Sequence, residues 1–189
     1  MKIRTDLLLE ELSEKTRTNL DAGREFLKKD LDILNNRPGE KKWSPLECLE
    51  HLNLYGDFYL PEIERAIATS KYQPEDVFKS GILGNYFAKM MMPQEKLRKI
   101  KTFKDKDPIG SDLSREAVNR FVKQQEQLLD LLCGASQVSL TRTKTGISIS
   151  KLIRLRLGDT FRVVIYHNER HVIQAQKAMP DPQDQPVAY

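Results

Sequence analysis

Two histidines stand four residues apart in Tyr166-His167-Asn168-Glu169-Arg170-His171-Val172-Ile173-Gln174, and the chain has one other, His51. On a helix this spacing stacks the two rings, with Cβ atoms about 5–6 Å apart. Both imidazoles can then reach one ion. A third from another helix would complete a three-nitrogen site with positions left for water or substrate. Neutral imidazoles suit zinc, nickel, cobalt or iron. The zincin arrangement is excluded, because Asn168 stands where its glutamate would follow the first histidine, and Glu169 falls on nearly the opposite helical face. An isolated pair of this spacing is equally at home as a structural or exposed feature, so the case depends on where His51 lies.

Other residues could join such a site. Glu47, one turn before His51, is a candidate general base, although its place in a helix start explains it as well. Tyr55, Tyr59 and Tyr166 could bring hydroxyls to a pocket, or pack in a core with their tips satisfied nearby. Gln174, one turn beyond His171, could orient a ligand or support it from behind. Cys48 precedes His51 by three, but its central place in an apolar stripe marks it as a small core residue. The run Met90-Met91-Met92 is read as packing.

The elements that must position these residues are helical. Leu8, Leu12, Leu20, Gly23, Leu27, Leu31 and Leu34 recur at helical steps and predict one long helix over 4–36, ended by Asn36, Pro38 and Gly39. Ser44-Pro45-Leu46-Glu47 is a capping box with proline at the first helical position, and it starts a second helix over 45–69. Cys48, Leu52, Tyr55, Tyr59, Ile63 and Ala66 form its inner stripe. His51 falls about 60° from the centre of that stripe, at the edge of the core. Pro61 should kink or locally disturb this helix.

Residues 70–110 are broken by prolines and glycines, with brief helices expected around Asp76–Lys79 and Asn85–Met91. Their apolar content predicts a packed crossover rather than disorder. A third helix is expected over 114–133, capped by Ser114 and stopped by Gly134, with Val118, Phe121, Val122, Gln125, Leu128, Leu129 and Leu132 inward. Some extended structure is expected near Val138–Thr141, then a short helix over Ser148–Leu157 ending at Gly158. Asp159 or Thr160 then caps a last helix running to Met179, on which His167 and His171 share a face with Val164, Ala175 and Ala178. The sum is an all-α chain, a four-helix bundle with a long crossover between helices 2 and 3. One domain over 1–179 and a tail without periodicity over 180–189 are expected.

Length, composition and charge fit one soluble globular domain. No apolar run approaches the ~20 residues of a membrane span. The N-terminus shows no export signal, and two cysteines are too few for a disulfide framework, so a cytoplasmic protein is expected. The net charge of +4 is mild. Lys96, Arg98, Lys99, Lys101, Lys104 and Lys106 form one basic run, and Lys151, Arg154, Arg156 and Arg162 another. With little aromatic interleaving beyond Phe103, they read as solvated faces rather than a nucleic-acid surface.

Trp43-Ser44-Pro45, then His51-Leu52, a crossover, and His167-x-x-x-His171-x-x-Gln174 together resemble the DinB-like superfamily, which includes the YfiT-type metal-dependent hydrolases. Phe78-Lys79-Ser80-Gly81 and Lys101-Thr102-Phe103 extend the resemblance through the crossover. It implies a four-helix bundle, commonly a homodimer, holding nickel or zinc with three histidines that match His51, His167 and His171. It also implies a metal-dependent enzyme. Relatives include transferases that bring a low-molecular-weight thiol to the metal for attack on an electrophile, and hydrolysis by metal-activated water is the variant. A non-enzymatic, metal-stabilised bundle that binds a small molecule or a protein partner is the alternative.

Overall fold

The computed structural model describes residues 1–93 and 102–180. Four long helices carry it: α1 (Thr5–Leu27), α3 (Pro45–Ala68), α5 (Glu116–Ala135) and α6 (Leu157–Ala178). Each of α1 and α3 packs against both α5 and α6, which closes a ring of neighbours. Two shorter helices, α2 (Leu31–Asn35) and α4 (Ile82–Met91), and a 3-10 turn over Lys104–Lys106 lie in the connections. The chain is therefore mostly helical, but not wholly so. β1 (Lys2–Arg4) pairs antiparallel with β2 (Val77–Lys79), and β3 (Lys144–Ile147) with β4 (Ser150–Arg156). No described helix is long and apolar enough to cross a membrane.

The start of α3 follows its sequence closely. Ser44 Oγ accepts from the backbone N–H of Glu47 at 3.2 Å, and a Glu47 oxygen accepts from that of Ser44 at 2.8 Å. The helix continues through Pro61, which sits on the exposed side, where the carbonyl it leaves without a partner can meet water.

Elsewhere local signals are overridden. The first helix stops at Leu27, and α2 turns back so that buried Leu34 joins Leu46 and Leu49 over the start of α3. The expected helix at Asp76–Lys79 is instead β2, an exposed–buried–exposed strand whose Phe78 is fully buried. The expected helix at Ser148–Leu157 is also strand. Leu152 faces out at 94% exposure while Leu155 is buried, a period of two within a stretch whose leucines also fit helical spacing. Gly158 is not a stop but the second residue of α6, and a Cβ there would come within 2.6 Å of the Phe78 ring. Gly134 lies inside α5. α6 starts two residues before Asp159, with Arg156 in the capping position. Arg162, read as part of a solvated basic face, is 3% exposed and paired with Asp159. Lys96, Arg98, Lys99, Lys101 and the tail beyond Pro180 lie outside the described residues.

The buried apolar residues form two clusters. One holds Leu46, Cys48, Leu49 and Leu52 of α3 with Val118 and Phe121 of α5 and Val172 and Ala175 of α6. The other holds Tyr59, Leu60 and Ile63 of α3, Leu128 and Leu132 of α5, and Val163 to Tyr166 of α6. α3 passes from one cluster to the other between Leu52 and Tyr59, just beyond His51, α5 between Phe121 and Leu128, around Gln125, and α6 between Tyr166 and Val172, around His167 and His171. The polar residues that could do chemistry occupy that seam.

Candidate metal centre

α3 and α6 bring the three histidines together. His51 Nε2 lies 3.2 Å from His167 Nε2, and the His171 ring centroid is 4.7 Å from that of His51 and 4.6 Å from that of His167. One ring nitrogen from each lies within 4.8 Å of the other two. Nitrogens at about 2.0–2.1 Å from a tetrahedral ion sit about 3.3 Å apart, so the His51–His167 separation matches one edge of such a site.

The environment keeps the rings neutral and aims them. Burial pushes the His51 imidazolium down to about 4, against a smaller opposing effect of the Lys106 carbonyl. It pushes that of His171 down to about 3, helped by His51 and Arg170. His167 falls well below the ordinary range, by burial first and then by repulsion from its two neighbours and Arg170. His51 Nδ1 donates to the Lys106 carbonyl at 2.6 Å, and His171 Nδ1 donates to Gln174 Oε1 at 2.9 Å. In both rings the hydrogen is thus held on Nδ1 and the Nε2 lone pair is left for an ion. Three neutral bases, so spaced and so oriented, fit a divalent cation.

Tyr55, a sequence candidate, and Trp43, Gln125, Asn168 and the Lys106 carbonyl, which were not, complete the surroundings. The Trp43 ring lies 4.6 Å from His51 and 5.7 Å from His171, and its Nε1 donates to Asp107 at 3.0 Å. Tyr55 meets both His51 and His167 edge-on. Burial pushes its phenol up to about 12, so it remains a hydrogen-bond donor at neutral pH. Asn168 donates to Gln125 at 3.2 Å, beside the histidines. A polar residue in the apolar stripe of α5 was the available signal for Gln125. The Lys106 carbonyl had none, because backbone acceptors leave no mark in a sequence.

The three rings line a cavity of about 910 Å³ together with Tyr55, Tyr59 and Gln174. Tyr166 turns elsewhere and donates to Glu11. Glu169 pairs with Lys15 of α1 at 2.9 Å. Cys48 is fully buried, with its thiol pushed up by burial. Met90 and Met91 contribute to the cavity wall. Glu47 is buried behind it, accepting from Ser44 N, from Gly110 N at 2.7 Å and from Arg37 Nε at 2.9 Å.

The family profile described as the DinB superfamily matches residues 9–175. The chain belongs to the DinB superfamily. No curated protein and no solved structure matches it. Within this DinB chain the matched span covers all three histidines and all but the outer ends of the four long helices.

Two expected results follow from the residues behind the DinB site. Gln174→Ala removes the acceptor on His171 Nδ1, and competition with a chromophoric chelator should show metal affinity reduced about 10–100-fold. Glu47 is the pH-dependent one. Burial raises its carboxyl, but bonds from Arg37, Ser44 and Gly110 outweigh this and hold it below its ordinary 4.5. The unfolded chain therefore binds this proton first as pH falls. The stabilisation is complete above pH 4.5 and is lost as pH drops through the folded value. Urea titrations of chelated Glu47→Gln should show a deficit of about 1–2 kcal/mol at neutral pH, the scale of losing a cap. That deficit should shrink below pH 4.5.

Proposed function

We propose that His51, His167 and His171 hold one divalent ion, nickel or zinc, and that the chain is a metal-dependent enzyme acting on a small molecule held in the adjoining cavity. The observation that carries this reading is the convergence of three neutral imidazoles on the wall of a large cavity rather than inside packed side chains. An ion held there supplies Lewis acidity that lowers the pKa of a thiol or a water molecule.

Transfer of a low-molecular-weight thiol to an electrophile is favoured over hydrolysis by what the wall offers. Among the described lining residues Asp107 is the one carboxylate, and its Oδ1 already accepts from Trp43 Nε1 and from Ile109 N. That carboxylate is tied through Oδ1 to two N–H groups, which makes it a weaker base for metal-bound water, and hydrolysis needs such a base more than a thiol of lowered pKa does. Tyr55 donates a hydrogen bond to the molecule beside His51 and His167, Gln174 keeps His171 oriented, and Trp43 shields the site.

The ring of long helices is read as the family's four-helix bundle, with residues 70–110 as its crossover, in one domain over 1–179. We further read the protein as a cytoplasmic homodimer. Metal analysis of untagged protein, followed by thiol-dependent conjugation of a generic electrophile, tests the functional reading. About one ion per chain with thiol-dependent turnover is expected. Metal without turnover of any thiol or ester would leave a metal-stabilised binding module in its place.

A further inference from the structure

The cavity changes character along its length. Trp43 meets His171 and Tyr55 meets His167, so α3 and α6 pass each other in opposite directions. From Val163 to Lys177, both lining residues of α6, the wall runs about 21 Å at 1.5 Å per residue. Around Val163 it is apolar, with Leu60, Phe87, Ile147 and Leu155. The histidines come about 6–12 Å further along. Lys177 lines the cavity near the end of α6, and Lys41 and Lys42, which lead into Trp43, line it too. Lys104 lines the wall as well. Against these cations the described lining residues set only Asp107, already bonded to Trp43 and Ile109. A one-signed rim around a low-dielectric cavity focuses its field on ions of the opposite sign.

We propose that the cavity takes an elongated anionic amphiphile, with an alkyl or aryl tail against Val163 and Leu155 and the anionic head between Lys42 and Lys177. The bond to be transformed then lies beside the histidines, between tail and head. That last placement rests on the metal-enzyme reading. The head-and-tail preference does not, because it uses none of the metal ligands.

Calorimetric titration of the full chain with dodecanoate, well below its micelle-forming concentration, tests this. About one dodecanoate per chain is expected, bound about tenfold or more tighter than dodecyltrimethylammonium. Raising salt from about 50 to about 500 mM should weaken the anion's binding and leave the gap smaller. The double substitution Lys42→Gln, Lys177→Gln should weaken dodecanoate about fivefold or more. Chelator treatment should leave it within about twofold. Equal binding of the cationic amphiphile, no binding of either, or indifference to salt and to both lysines would overturn the proposal. So would loss of dodecanoate binding on metal removal, which would place the head on the histidines. Metal content and thiol conjugation are read separately, so they can succeed where this fails.

Discussion

His167→Ala is expected to reduce bound divalent metal from about one ion per chain to about a tenth or less, and to make unfolding indifferent to chelator. The variant leaves two imidazoles, on different helices, where three converged. Its loss should also be the most complete, because His167 Nε2 stands opposite His51 Nε2 at 3.2 Å while its ring packs edge-on to those of His51, His171 and Tyr55. The thermal consequence can be bounded. An ion present at about 100 times its dissociation constant adds about 2.7 kcal/mol to the folded state. For a chain of this size each kcal/mol moves the midpoint about 2–4 °C, so chelator should lower the wild-type midpoint by about 5–11 °C.

The variant should start near the chelated wild type and stay there. This separates lost metal from a lost fold: a misfolded chain would start far lower. His51→Ala and His171→Ala should behave in the same way, since each removes one of three donors. Full metal content in all three variants, or an undiminished chelator response in His167→Ala, would remove the histidines from the role assigned to them.

The centre was legible because its signals are local. The spacing of His167 and His171, the wheel position of His51 and the capping box at Ser44 each depend on residues within two turns of one another. What holds the histidines in place was less so. Their polar backing comes from a carbonyl at Lys106 and from an indole tied to Asp107, and neither bond can be read from residue spacing. The β3–β4 hairpin was hidden for a different reason. Leu152 and Leu155, three apart, fit one helical face as well as opposite faces of a strand, and only the burial of Leu155 against exposed Leu152 decides between them. Gly158 carried an equally ambiguous sign. A glycine after an apolar run reads as a helix end, whereas here it admits the Phe78 ring from a strand some eighty residues earlier.

Asp159 is the residue whose removal should damage the fold most. Its side chain is fully buried and joins the first turn of α6 to the start of α4. One oxygen accepts from Gly81 N at 2.7 Å, while the other accepts from Ser80 Oγ and from Arg162 Nη1. Arg162 also donates to Asn85 of α4. The approach is so close that a Cβ at Gly84 would lie 2.4 Å from the Asp159 carboxylate. Asp159→Ala leaves a guanidinium and a backbone N–H buried without their main acceptor, which costs about 3–5 kcal/mol. Against a total of about 5–15 kcal/mol this is a large share, and urea titration of the chelated protein will measure it. Asp159→Asn keeps the shape and an acceptor for Gly81 N, so its deficit should be smaller, at about 1–3 kcal/mol. Combining Asp159→Leu with Arg162→Met removes both charges and should recover part of the alanine deficit, because the cost lies in the unpaired partner rather than in the missing pair. α4 supplies Phe87 and Met91 to the cavity wall, so the alanine variant should also lose amphiphile binding before it loses metal. An alanine variant within about 1 kcal/mol of wild type would mean that water reaches Arg162 and Gly81, and that α4 is held to α6 by its apolar contacts alone.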